Sequence, residues 1–189
     1  VLDWNVSNRS TLLEGETYHL VTEYDALGRM TRLFNWHLGG TGSRVAVYEP
    51  QYNGRGLLYS EEIVVRAKKT NTDKGYAASV QTKRATAIGK IIYNAKGQKL
   101  TLALGNGTTT TYSYDARTFR PTDLRSERAT APRGLQNLQY TYDPVGNITH
   151  INDAAQETVF HNNSVIRPEH HYVYDAIYRL IEGSGRENF

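Results

Sequence analysis

Apolar and polar positions alternate with a period of two through several short stretches of this chain. Thr111-Tyr112-Ser113-Tyr114, Gln139-Tyr140-Thr141-Tyr142 and His171-Tyr172-Val173-Tyr174 each send two tyrosines to one face of a strand. Leu100-Thr101-Leu102-Ala103-Leu104 alternates in the same way, Gly105-Asn106-Gly107 follows, and alternation resumes from Thr108 to Tyr114. An Asn-Gly pair between two such runs is the strongest short-range signal for a tight hairpin. Asn94-Ala95-Lys96-Gly97 supplies the turn before it, so the pattern predicts a three-strand meander over residues 90–93, 98–104 and 108–114.

The alternating runs end on a recurring phrase: Tyr-Asp, two variable residues, Gly, Arg or Asn, then an apolar residue. It is nearly complete at Tyr24-Asp25-Ala26-Leu27-Gly28-Arg29-Met30 and Tyr142-Asp143-Pro144-Val145-Gly146-Asn147-Ile148. Further copies place Asp at 115 and 175, and two degenerate copies place Asn at 53 and 94. The intervals are 28, 41, 21, 28 and 32 residues, the irregularity expected of a hairpin repeat with variable loops. An Asp at the start of a turn accepts bonds from backbone N–H groups two residues on, and a Gly three later takes the positive φ that closes it. Tyr178 and Thr118 stand where the Gly belongs after Asp175 and Asp115, which predicts a different geometry for those two turns.

Residues 35–87 fit the repeat poorly. Gly39-Gly40-Thr41-Gly42 and Tyr52-Asn53-Gly54-Arg55-Gly56 are turn signals, residues 44–48 and 57–66 read as strands, and residues 70–75 as a loop. The organisation expected is a first hairpin repeat over 1–34, a divergent β-rich segment over 35–87 and hairpin repeats over 88–189. Any helical turns are expected to be short, for example near residues 126–131, before Pro132 stops continuation.

Composition agrees with an all-β reading: fourteen tyrosines, against four phenylalanines and two tryptophans, and sixteen glycines to make turns. With no cysteine, disulfide frameworks and thiolate metal sites are excluded. No apolar run approaches the roughly twenty residues needed for a membrane helix, so membrane insertion is not expected. The net charge of +3 raises nucleic-acid binding, but the basic residues are spread from Arg9 to Arg186. The densest stretch, Arg66-Ala67-Lys68-Lys69 with Lys74, Lys83 and Arg84, reads as a solvated face. The chain opens on Val1 and is read as a piece of a longer polypeptide.

Catalytic patterns are missing. There is no Gly-x-Ser-x-Gly elbow, Glu61-Glu62 would point to opposite faces, and Gly39-Gly40-Thr41-Gly42 lacks the Lys of a phosphate loop. His161, His170, His171 and Asp153 invite a metal site, yet His170 and His171 are strand neighbours facing opposite ways. No catalytic residue, metal ligand or cofactor is therefore assigned.

The hairpin from Gly105-Asn106-Gly107 into Tyr114-Asp115, the stretch Leu138-Gln139-Tyr140-Thr141-Tyr142-Asp143-Pro144-Val145-Gly146-Asn147-Ile148-Thr149, and Tyr172-Val173-Tyr174-Asp175-Ala176-Ile177-Tyr178-Arg179-Leu180 resemble the RHS/YD-repeat family. Within it they are most similar to the B component of bacterial insecticidal Tc toxin complexes. The resemblance is strong over about residues 88–188 and thinner before.

It implies an array of antiparallel β-hairpins forming a curved sheet segment of a larger shell. That shell would enclose a toxic cargo domain supplied by a C component, for delivery through a translocation channel component of a secreted complex. The residues expected to build the repeat are Tyr24, Asp25, Gly28, Asn106, Gly107, Tyr112, Tyr114, Asp115, Tyr140, Tyr142, Asp143, Gly146, Tyr172, Tyr174 and Asp175. The resemblance also admits an alternative, a carbohydrate-binding repeat in which Tyr112, Tyr140 and Tyr172 stack on sugar rings. Open repeat ends leave unpaired strand edges, so self-association or covered edges are expected.

Overall fold

The computed structural model describes residues 19–36, 41–71, 74–161 and 163–186. Residues 1–18 of the first expected repeat, Gly39 and Gly40, Thr72 and Asp73 lie outside the described residues. Among the described residues every regular element is a strand and every strand pairing is antiparallel, the all-β hairpin array the sequence predicts. Two compact units divide the chain, Val1–Ala87 and Ile88–Phe189.

The first unit contains β1 (His19–Tyr24), β2 (Met30–Trp36), β3 (Arg44–Tyr52), β4 (Leu58–Lys69), the two-residue β5 (Tyr76–Ala77) and the start of β6 (Lys83–Tyr93). They lie in the order β1-β2-β3-β4-β6, with β5 paired to the end of β4. Alternation builds its core: Phe34 sits opposite Val47, which sits opposite Val64, and Val45 sits opposite Ala67. Phe34, Val45, Val47, Val64 and Ala67 are buried together, with Val21 and Tyr76 packed against them. Burying each of the Phe and Val side chains in this cluster contributes about 1.5–3 kcal/mol. Further along the same strands, Glu49 opposes Glu62, a repulsive pair relieved when Arg84 Nη1 donates to Glu49 at 2.6 Å and Thr86 Oγ1 to Glu62 at 2.7 Å.

The second unit begins with the rest of β6. It continues through β7 (Lys99–Leu104), β8 (Thr108–Tyr114), β9 (Pro121–Arg128), β10 (Gly134–Tyr142), β11 (Ile148–Asp153), β12 (Val159–His161), β13 (Ser164–Ile166), β14 (Glu169–Tyr174) and β15 (Leu180–Ser184). The ladder runs β6-β7-β8-β9-β10-β11-β14-β15, while β12 and β13 form a separate hairpin. The meander predicted around Asn106-Gly107 is present, with Gly107 at φ +83° and its N–H donating to the Leu104 carbonyl at 3.1 Å.

The expected helical turn near residues 126–131 is not there. Residues up to Arg128 continue β9, because Ser126 pairs with Thr110 on one side and Gln136 on the other. Two ladders of backbone bonds outweigh a weak local helix preference. The chain then reverses over Ala129–Arg133, where the Ala131-Pro132 peptide is cis and Arg128 N donates to the Arg133 carbonyl at 2.9 Å.

The tyrosine–aspartate turns as the candidate functional site

Five of the six copies of the phrase fold into one device, and the copy at Asp115 into a longer variant of it. In each, a β-bulge falls at the tyrosine: the register shifts at Tyr24, Tyr52, Tyr93, Tyr114, Tyr142 and Tyr174. The extra residue bends the strand into the turn. The next side chain, Asp or Asn, then accepts backbone N–H bonds. Asp25 Oδ1 takes them from Leu27 and Arg29 at 2.9 Å, Asn53 Oδ1 from Arg55 and Leu57 at 2.9 and 3.1 Å, and Asn94 Oδ1 from Lys96 and Gln98 at 2.9 and 3.0 Å. Asp143 Oδ1 accepts from Gly146 and Asn147 at 2.6 and 2.8 Å, and Asp175 Oδ1 from Ile177 and Arg179 at 3.0 and 2.9 Å. An amide does this work as well as a carboxylate, which is why Asn can replace Asp in two copies.

The fourth position of the turn has a left-handed backbone, at φ +74° for Gly28, +76° for Gly56, +83° for Gly97 and +116° for Gly146. Tyr178 occupies the same place at φ +64°, and its N–H donates to the Asp175 carbonyl at 2.9 Å as Gly28 N–H does to Asp25 at 3.0 Å. The Asp175 turn thus keeps the common geometry, contrary to expectation, because its side-chain and backbone bonds hold a non-glycine residue in that region. The Asp115 turn does differ. It is one residue longer, with Phe119 at φ +60° donating to the Asp115 carbonyl and Thr118 bonding Asp115 Oδ1 through both N–H and hydroxyl.

Within each unit, successive turns are fastened to one another. Tyr52 hydroxyl donates to the Met30 carbonyl at 2.9 Å, Tyr114 to Lys99 at 2.8 Å and Tyr174 to Ile148 at 2.9 Å. In every case the acceptor lies five residues after the Asp or Asn of the preceding copy. Cations reinforce the stack: the Arg29 guanidinium lies 5.0 Å from the Tyr52 ring centre, Arg120 lies 5.7 Å from Tyr142, and Lys96 sits over Phe119. Arg120 also donates to the carbonyls of Asp143 and Val145 at 3.2 and 2.9 Å. A Cβ on Gly146 would meet the end of that guanidinium, which can swing aside, so it is the φ of +116° that favours glycine there.

These bonds hold the turn carboxylates ionised. The Arg29 N–H keeps Asp25 below its ordinary value, helped by the Arg29 guanidinium, and Arg179 does the same for Asp175. Thr118 lowers Asp115. Desolvation pushes Asp143 up, but the Asn147 amide and the N–H groups of Gly146, Asn147 and Val145 together bring it down. Burial raises the hydroxyls of Tyr93, Tyr114, Tyr140 and Tyr142. The rings of Tyr140 and Tyr142 lie 6.5 Å apart, Tyr112 lies near Tyr140, and Tyr172 packs by Gly183; Tyr112, Tyr140 and Tyr172 are each half-buried rather than presented as an exposed ladder.

Two groupings escaped the sequence reading. Asp153 makes a further turn of the same kind: it is buried, and its carboxylate accepts from Ala155 N at 3.1 Å, Asn137 N at 2.8 Å and Gln156 Nε2 at 3.0 Å. The signal was the Asp-Ala-Ala-Gln spacing, without the preceding Tyr. His150 joins Glu169 and His171 across β11 and β14, whereas His161 lies apart in β12 and His170 faces away from His171.

The chain is an array of hairpins whose Asp or Asn turns are joined, within each unit, by tyrosine hydroxyls and by Arg120. No family model matches the chain. It is 36% identical over 192 residues to the toxin subunits YenC1 and YenC2 of Yersinia entomophaga, a match that covers 98% of this chain and 18% of theirs. It spans less than a fifth of the curated relatives it matches. Among solved structures it resembles a chain of the Photorhabdus luminescens Tc holotoxin pore, with a TM-score of 0.67 and 28% identity over 96% of this chain and 8% of that one. The TcdB2-TccC3 structure gives 0.66 and 29% over 97% and 8%. In sequence and in fold this is an RHS-type repeat segment of the Tc toxin kind.

Proposed function

We propose that this segment is part of the wall of a shell that encloses a toxic cargo in a secreted toxin complex, and that it carries no reaction of its own. The observation that carries this reading is the fastening of successive turns within each unit, in a chain similar to toxin subunits over nearly its whole length. Backbone ladders and half-buried tyrosines make a surface that excludes protease and solvent without presenting a reactive group. The partner is another subunit of the complex. The curated relatives carry C-series names and TcdB2-TccC3 unites a B-series with a C-series protein, so a segment of either kind would be closed by the other. A translocation channel component would then receive the cargo. The half-buried setting of Tyr112, Tyr140 and Tyr172 favours paving over sugar stacking.

The test is limited proteolysis of the parent subunit assembled with its partner. An enclosed cargo is degraded only after the wall is opened by denaturant, at the same concentration that unfolds this segment. Cargo digestion under native conditions would contradict enclosure, and an enzymatic activity mapping to these residues would contradict the wall reading.

A further inference from the structure

We propose that His150, Glu169 and His171 form a binding site for a divalent transition-metal ion of the zinc class, clamping β11 to β14. His150 and His171 are direct cross-strand partners, and Glu169 pairs with Asn152, which puts all three side chains on one face at neighbouring positions. One ligand atom from each lies within 4.8 Å of the other two. His150 Nε2 is 3.0 Å from Glu169 Oε2, close to the roughly 3.3 Å that separates ligand atoms around a tetrahedral ion with bonds of about 2.0–2.1 Å. The imidazole rings stack with centres 4.5 Å apart and planes 21° from parallel, so binding requires the two rings to turn out of their stack until both nitrogens point at the ion.

Two imidazoles and a carboxylate are a donor set for zinc and its first-row neighbours, not for magnesium or calcium, which prefer oxygen. A metal held by three protein ligands keeps a position for water, and the geometry provides room for one: Glu169 and His171 border an open recess of about 490 Å³ beside Ser184. His150 and Glu169 are half-buried while His171 is exposed, so the ion enters from that side. One group opposes it. Arg167 Nη1 lies 3.9 Å from Glu169 Oε1, but its side chain is 68% exposed and can swing into water.

The experiment is a calorimetric titration of Zn²⁺ into the full 189-residue chain freed of metal by a chelator, with thermal unfolding alongside. One saturable equivalent is expected, with a rise in Tm that the chelator reverses, since a ligand held only by the folded state stabilises it. His150→Ala and His171→Ala should each weaken binding more than about tenfold, and Glu169→Gln by a similar factor. His170→Ala, one residue away on the opposite face, should leave it unchanged. Arg167→Ala removes the competing cation from an exposed position and should tighten binding several-fold, which keeps the assignment testable if a histidine variant does not fold. Absence of saturable binding, survival of binding in the His150→Ala/His171→Ala double variant, equal loss in His170→Ala, or no tightening in Arg167→Ala would overturn the site.

Discussion

The hydroxyl of Tyr174 donates to the backbone carbonyl of Ile148 at 2.9 Å, tying the turn that begins at Asp175 to the strand that leaves the turn at Asp143. The same bond joins Tyr52 to Met30 and Tyr114 to Lys99. Tyr174→Phe keeps the ring and deletes the bond. It should lower the unfolding free energy by about 1 kcal/mol, as measured by urea denaturation. Tyr52→Phe should act similarly in the first unit, and no change in either would mean the hydroxyls are incidental.

The turn side chain acts mainly as an acceptor of backbone N–H groups. Asp175→Asn preserves that acceptor, as Asn53 and Asn94 do in their own turns, and gives up the ion pair with Arg179 at 2.7 Å. Asp175→Ala gives up both. The urea midpoint should therefore fall more for Ala than for Asn, and equal losses would show that the ion pair dominates.

Tyr178 holds a left-handed backbone at φ +64° while the residue is 58% exposed. Glycine pays no steric penalty in that region, which for an L residue is about 1–2 kcal/mol. Tyr178→Gly should raise stability by up to about 1 kcal/mol, part of the gain being lost to the entropy of the unfolded chain. A loss would reveal packing of the Tyr178 ring that outweighs its backbone strain.

Acid should loosen the turns. Asp25, Asp115, Asp143 and Asp175 each titrate below their ordinary value of 3.8 in the folded chain. A lowered folded value means that the unfolded chain binds more protons in this window, so stability rises with pH there. The contribution is complete above the ordinary value and disappears as pH falls through the lower folded values. Unfolding followed from pH 6 to about pH 2 should show the midpoint declining below about pH 4, and a smaller decline in an Asp25→Asn/Asp175→Asn variant. A flat profile would contradict the role given to the carboxylates.

The core of the first unit gives the largest expected loss. Phe34 is fully buried against Val47 and 6.4 Å, ring centre to ring centre, from Tyr76. Phe34→Ala should cost about 3–5 kcal/mol. A loss under 1 kcal/mol would mean that the site collapses around the gap.

The turns were legible because an Asx side chain, a glycine at fixed distance and flanking alternation are all local signals. Asn53 and Asn94 could be aligned with the aspartates for the same reason. Tyr178 misled because absence of glycine suggests absence of positive φ, whereas the bonds at Asp175 impose that conformation regardless of residue. The end of β9 misled because pairing with β8 and β10 is decided by partners distant in sequence. His150 and His171 are 21 residues apart, and only the diversion of β12 and β13 out of the ladder makes β11 and β14 neighbours. Nothing local in the sequence announces that juxtaposition.

The central claim, that the stacked turns are the wall of an enclosure, is tested most directly by opening them in place. A parent subunit carrying Tyr114→Phe, Asp143→Ala and Tyr174→Phe, assembled with its partner and its cargo, is exposed to a protease under native conditions. The account predicts that the cargo, resistant in the unaltered complex, becomes susceptible, with the first wall cleavages in residues 108–180. Cargo protection unchanged after the wall segment itself has been cut would contradict it.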